Sequence, residues 1–230
     1  MIDPIIITGC ARSGTSLTAG IVHLCGAYGG DMFGPNKYNR KGMFENKEVR
    51  QNVVKPYLRK LGVDPLGQKP LPNNHQVFGV NDRQATEWRA RIQEIYKHQG
   101  YIDGEWFYKG AKCCLIWFLW HRAFPKAKWI LVRREKEDIV NSCMRTAFMS
   151  KYKNPDGWGM WIDKHERRFD EMRQIGVNMF EFWPSRVIDG LFLHAEEMID
   201  FLGLEYQRDL VETFVDPTLY RRGANGCSRN

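Results

Sequence analysis

The stretch IIITGCARSGTSLTAGIVHLCG, residues 5 to 26, constrains the fold more tightly than any other part of the chain. An apolar, β-branched run ends at Gly9, small and polar residues lead to Thr15, and an apolar helical pattern follows. Strand, glycine turn and helix in that order make a phosphate cradle. The head of the helix offers backbone N–H groups that have no partner within the helix, and its dipole favours an anion. GCARSGTS fits the ATP-binding pattern GxxxxGK[ST] except that Thr15 follows Gly14 where lysine belongs. The clamp across two adjoining phosphates is therefore missing. The amides of Arg12, Ser13, Gly14, Thr15 and Ser16 remain available for one terminal group, and Arg12 supplies the positive charge from another place in the loop. A glycine turn without a ligand fits the same segment.

Two further junctions predict a parallel sheet. Lys128 to Val132 reads as a strand flowing into a helix from about Lys136 to Ala147, with Glu137 and Asp138 in the first turn, where negative side chains suit the dipole. A shorter strand, Trp106 to Lys109, precedes the apolar run CCLIWFLW, read as a buried helix from near Cys113. Helices are also expected from about Ser16 to Cys25, over 84–99 and 160–175, and through FLHAEEMIDFLG, which closes at Gly203. Alternation of this kind builds an α/β fold, a three-layer sandwich with a central parallel sheet and its ligands beyond the strands' carboxyl ends. Residues 26–49 and 62–81, rich in glycine, asparagine and proline, read as loops. The 230 residues, without repeats, read as one domain.

Composition narrows the function. The longest apolar run is too short to span a membrane, and no basic segment with a long apolar stretch opens the chain, which predicts no secretory signal. The six cysteines lack the spacing of a metal knuckle, so free thiols in a reducing, cytoplasmic setting are expected. A formal charge of +7 suits anionic ligands. Neither interleaved aromatic and basic residues nor a recognition-helix pattern points to nucleic acid. The sequence leaves the oligomeric state open.

A second anion site is legible in RREKEDIVNS, Arg133 to Ser142. An arginine at a strand's carboxyl end and a serine on the following helix bring a guanidinium and a hydroxyl to the same sheet edge, a pair suited to a phosphate dianion. Taken alone, Arg134 and Ser142 more often mean a solvated arginine and a helix-surface serine. Beside the first loop they suggest a ligand with two separate phosphate-like groups. The basic tail RRGANGCSRN reads as a frayed end or as a flap that closes over an anion.

These three segments together resemble the sulfotransferases that use 3′-phosphoadenosine 5′-phosphosulfate (PAPS). ARSGTS, Ala11 to Ser16, matches the family's phosphosulfate loop; Arg134 and Ser142 match its 3′-phosphate pair, with Arg133 as a flanking residue; RRGANG resembles the segment that closes over the same phosphate, which implies donor contacts from Arg221, Arg222 and Gly223. The chain is most similar to bacterial members reading RSGTS, then NxxGxFEN, then a lysine before an apolar helix, here NRKGMFEN at 39–46 and YKGAKCCLIWFLW at 108–120. Two positions depart from the family pattern: Ala11 stands where proline is usual, and Glu135-Lys136 where aspartate-proline often follows the arginine.

The resemblance implies sulfuryl transfer from PAPS to a hydroxyl or amine of a carbohydrate or small metabolite, leaving 3′,5′-adenosine bisphosphate and needing no metal. It implies Glu45 as the base, with Arg12 and Lys109 stabilising charge and Lys112 as an alternative to Lys109. A loop glutamate paired with Arg40 or Lys47 is the bland account of Glu45. His75 is the competing base among the histidines, His98 and His121 reading as a helix's polar side and end, and His23 as a packed side chain. Trp158, Trp161 and Trp183 are expected to be exposed and able to stack on a sugar or on adenine. The rivals are a P-loop nucleotide kinase, which would want the loop lysine and an aspartate for magnesium, and an inactive nucleotide-binding protein.

Overall fold

A computed structural model describes residues 1–220. Its elements in chain order are β1 (Ile5–Gly9), α1 (Thr15–Leu24), a π-helical stretch (Val49–Val54) running into α2 (Lys55–Lys60), α3 (Asn74–Phe78), α4 (Asp82–His98), β2 (Phe107–Lys109), a 3₁₀ turn (Ala111–Ile116) leading into α5 (Trp117–Ala123), β3 (Lys128–Val132), α6 (Lys136–Met144), α7 (Pro155–Gln174), β4 (Met179–Phe182), α8 (Pro184–Ile188), α9 (Leu193–Leu202) and α10 (Arg208–Phe214). The strands form one parallel sheet in the order β2-β1-β3-β4.

Every residue of β1 is buried, because a central parallel strand is covered on both faces. Period-two alternation sorts the strand residues between two cores. Ile6, Tyr108, Trp129 and Leu131 join the helices that carry Trp88, Trp120 and Phe169. Ile5, Ile7, Ile130 and Phe182 join Ile21, Ile199 and Val211 on the opposite face. This is the α/β sandwich expected. At the end of β1, Gly9 pairs with Val132, and a Cβ there would lie 2.4 Å from the Val132 carbonyl oxygen, which excludes any larger residue.

Several expectations change. The strand β4 is not apparent in the sequence, because MFEF is short and only half-buried at the sheet edge. The helix expected from Cys113 opens as the 3₁₀ turn and becomes α-helical only at Trp117. Trp158 and Trp161 are buried rather than exposed: they lie on the inner stripe of α7, 5.5 Å apart, and Trp161 Nε1 donates to the Gly67 carbonyl at 2.9 Å. Trp183 is half-buried. Gly203 closes α9 in the left-handed conformation, φ 73°, as expected.

Thr8 ties β1 to the segment after β2. Its fully buried hydroxyl donates to the Gly110 carbonyl at 3.0 Å and accepts from the Cys114 N–H at 3.1 Å. Thr8→Val keeps the shape but leaves the Cys114 N–H without this partner, while the Gly110 carbonyl keeps the Cys113 N–H at 3.0 Å, so the loss should be roughly 1–3 kcal/mol. Urea unfolding checks this; a loss below about 0.5 kcal/mol would show that the two bonds contribute little.

Candidate functional site

The loop after β1 passes through the left-handed region at Arg12 (φ 75°) and Gly14 (φ 102°). Gly14 caps α1 without a side-chain hydrogen bond, and Thr18 N–H is the first to reach back, to the Gly14 carbonyl at 3.1 Å. The amides of Thr15 to Leu17 thus point out of the helix head with no intrahelical partner. Ser13 is buried beneath them, and its Oγ has no hydrogen-bond partner among the described residues.

The two anion sites read separately from the sequence meet here. Arg12 Nε donates to Ser142 Oγ at 3.1 Å, and an Arg134 guanidinium nitrogen donates to the Arg12 carbonyl at 2.9 Å. That bond helps hold Arg12 in its unusual backbone conformation. Arg134 also faces Asp138 at 3.7 Å and lies over the Tyr220 ring, 4.4 Å from its centroid. Burial first, then the charges of Arg134 and Arg145, push the Arg12 guanidinium below its usual value, the mark of crowded cations. Arg133 points elsewhere, to Glu166 at 2.7 Å and Glu181 at 3.5 Å.

Residues 32–46 fold into a narrow hairpin. Met32 bridges Asn46 antiparallel, Phe33 N–H donates to the Glu45 carbonyl at 2.9 Å, and the tip turns between Asn36 and Asn39. Asn46 fixes the base of the hairpin, donating to the Gly29 carbonyl at 3.2 Å and accepting from Val49 N–H at 3.1 Å. The hairpin docks on the head of α1, where Ser16 Oγ donates to the Met43 carbonyl at 3.4 Å.

Glu45 is thereby carried inside, 4% exposed. It pairs with Arg50 at 2.6 Å and with Lys109 at 3.4 Å, not with Arg40 or Lys47. Burial alone would raise its carboxyl, but Lys112, Lys109 and Arg50 override that and hold it at about 2. Lys109 Nζ also donates to Ser16 Oγ at 3.2 Å, so one buried ammonium joins the carboxylate to the helix head. Burial pushes Lys109 down, partly offset by Glu45.

A cavity of about 370 Å³ opens over these groups. Arg12, Gly14, Thr15, Ser16, Arg134 and Ser142 line it, while Glu45 and Lys109 sit behind the Ser16 wall. His75 and His98 are exposed on α3 and α4 and do not line it. His23 is exposed rather than packed: it falls in the last turn of α1, where its Nδ1 lies 3.3 Å from the Ala27 carbonyl oxygen. Arg221, Arg222 and Gly223 lie outside the described residues. Unforeseen in the sequence are Lys37, Tyr38, Arg40 and Lys41 from the hairpin tip and Arg145 at the end of α6. The basic cluster KYNRK between two glycines was a usable signal, as was Arg145 one turn beyond Ser142.

The family model described as "Sulfotransferase domain" matches residues 66–200. The chain belongs to the sulfotransferase-domain family. The matched stretch holds Lys109, Arg134 and Ser142; the first loop and Glu45 precede it. Among solved structures, sulfotransferase STF9 from Mycobacterium avium is similar with a TM-score of 0.56 and 12% identity, over 93% of this chain and 67% of that one. The sulfotransferase domain of the olefin synthase from Synechococcus PCC 7002 is similar with a TM-score of 0.53 and 16% identity, over 96% of this chain and 87% of that one. At such identities these likenesses speak for the sulfotransferase fold alone. No curated protein sequence matches the chain. Among the described residues no helix is long and apolar enough to cross a membrane, and no group of three or more His, Cys, Asp or Glu side chains could hold a metal. Cys10, Cys25, Cys113, Cys114 and Cys143 are free and buried.

Proposed function

We propose that the chain, read as one domain of 230 residues, is a PAPS-dependent sulfotransferase of the RSGTS and GxFEN kind acting on a hydroxyl. The observation that carries this is the convergence of Arg12, Arg134 and Ser142 beside the uncapped head of α1. Two anion-binding surfaces, amides on one side and guanidiniums on the other, share one cavity and suit a ligand with two separate anionic groups. The free amides of Thr15 to Leu17 fit the phosphosulfate end; Arg134, Ser142 and the guanidinium of Arg12 fit the 3′-phosphate.

In the transfer a bond forms between the acceptor oxygen and sulfur, and the bond from sulfur to the bridging oxygen breaks. The bridging oxygen leaves on 3′,5′-adenosine bisphosphate, and the acceptor's proton passes to Glu45. In this reading Lys109, which donates to Ser16 Oγ at 3.2 Å, offsets negative charge at the bridging oxygen. A carboxylate of low basicity suffices, because the attacking hydroxyl becomes strongly acidic as its bond to sulfur forms.

Calorimetric titration with 3′,5′-adenosine bisphosphate and with ATP tests the donor site. Micromolar affinity for the bisphosphate and at least tenfold weaker binding of ATP are expected. Equal or tighter binding of ATP would sink the proposal and favour a nucleotide kinase.

A further inference from the structure

We infer that the acceptor is itself an anion: a hydroxyl compound that carries a phosphate, sulfate or carboxylate group, which Lys37 and Arg40 hold at the hairpin tip. This rests on the sulfotransferase function proposed above and adds the class of acceptor to it.

Among the described residues the cavity wall presents Arg12, Lys37, Arg40, Lys41, Arg134 and Arg145 against one lining carboxylate, Asp216, with Asp138 behind Arg134. Asp216 is already engaged, accepting from Thr218 N–H at 3.0 Å and from its hydroxyl at 2.6 Å. Behind the wall, Arg50, Lys109 and Lys112 surround the carboxylate of Glu45. Lys112 is 8% exposed and makes no direct ion pair among the described residues. A buried charge without a partner is costly, so such an excess persists where a ligand answers it. The donor brings roughly four negative charges, counting a phosphate end and a phosphosulfate end. On the wall itself six cations face Asp216 and Asp138; the donor's ends draw on Arg12 and Arg134, so Lys37 and Arg40 are left to face whatever else enters the cavity.

The donor's two ends are answered by the head of α1 and by Arg12, Arg134 and Ser142, all outside the hairpin. The hairpin carries Glu45 at its base and the cations at its tip, so one element spans the proposed base and the unclaimed charge. It is fixed at both sides, by Ser16 on α1 and by the Tyr38 ring set edge-on against Phe148 at 4.9 Å. Lys41 is tethered to the Phe214 carbonyl, whereas Lys37 and Arg40 are exposed and make no ion pair among the described residues. An anionic group on the acceptor would be drawn to these two while its hydroxyl reaches Glu45.

The test uses the full chain saturated with 3′,5′-adenosine bisphosphate and titrated with inorganic phosphate, glucose 6-phosphate, glucuronate and glucose. At least one anionic sugar should bind, with glucose at least tenfold weaker; comparison with inorganic phosphate separates recognition of the sugar from that of the anion alone. The double variant Lys37→Gln/Arg40→Gln, in which both changes are on exposed side chains, should weaken the anionic sugar at least tenfold and leave bisphosphate affinity within twofold. Three results overturn the inference and leave the donor site standing: glucose binding as tightly as the charged sugars, no charged sugar binding, or bisphosphate affinity falling in the double variant, which would assign the tip to the donor. Failure of the unmodified protein to bind the bisphosphate removes the sulfotransferase proposal and this inference with it.

Discussion

Glu45→Gln is expected to lower turnover by about 10²–10⁴-fold, the usual worth of a positioned general base, while 3′,5′-adenosine bisphosphate still binds. The substitution also removes the carboxylate that, among the described residues, faces Arg50, Lys109 and Lys112, leaving buried cations uncompensated. A stability loss on the order of 3 kcal/mol should follow. Glu45→Asp separates the two effects. It keeps the charge and most of the stability, but withdraws the carboxylate by one methylene, so turnover should stay low although the protein is well folded. Release of adenosine bisphosphate per enzyme molecule, with urea unfolding of both variants, is the measurement. Turnover within threefold of the unmodified protein in a folded Glu45→Gln variant would remove Glu45 from the mechanism.

The same residue sets an acid dependence. Its carboxyl sits at about 2 in the folded protein against an ordinary 4.5, so the unfolded chain takes up its proton first on acidification. The associated stability is fully present above about pH 4.5 and is lost as pH falls towards about 2. For activity, a base already ionised throughout gives a rate that stays level from about pH 8 down to about pH 5, where a base of the ordinary imidazole kind would impose a fall centred at about 6.5. An acid limb near that value would transfer the role to a histidine.

How much of this was visible beforehand depends on whether the determinant was local. The first loop was legible because its glycines, its missing lysine and the flanking strand and helix lie within one short segment. Arg134 and Ser142 were legible for the same reason, one strand-helix junction carrying both. Their contact with Arg12 was not, because it depends on β1 and β3 lying side by side with Gly9 opposite Val132. The surroundings of Glu45 were hidden for a similar reason. NRKGMFEN reads as loop, and nothing in it states that the hairpin turns Glu45 inward against Lys109 and Arg50, well separated in sequence. Trp158 and Trp161 misled because a tryptophan near a turn reads as exposed; the stripe they share with Phe169 places them in the core.

Adjacent arginines should separate stability from binding. Arg134→Ala is expected to weaken 3′,5′-adenosine bisphosphate binding about a hundredfold. It removes a guanidinium from the anion site, worth about 1.5–3 kcal/mol as a charge-assisted contact, and releases the Arg12 carbonyl that it holds at 2.9 Å. Arg133→Ala should leave that affinity within about threefold, since Arg133 is spent on Glu166 and Glu181 and does not line the cavity. Its loss should be felt in unfolding, at about 2 kcal/mol, because partly buried Glu166 loses its ion pair, while Glu181 keeps Arg173 at 2.6 Å. Burial already pushes Glu166 up, with Arg133 the first of the charges that oppose it. Without that cation, Glu166 should bind a proton more readily, so the variant should recover part of its deficit on mild acidification. Calorimetric titration and urea unfolding of both variants decide the matter. An Arg133→Ala variant that loses the bisphosphate while Arg134→Ala keeps it would exchange the two assignments and move the anion site to the other side of the strand end.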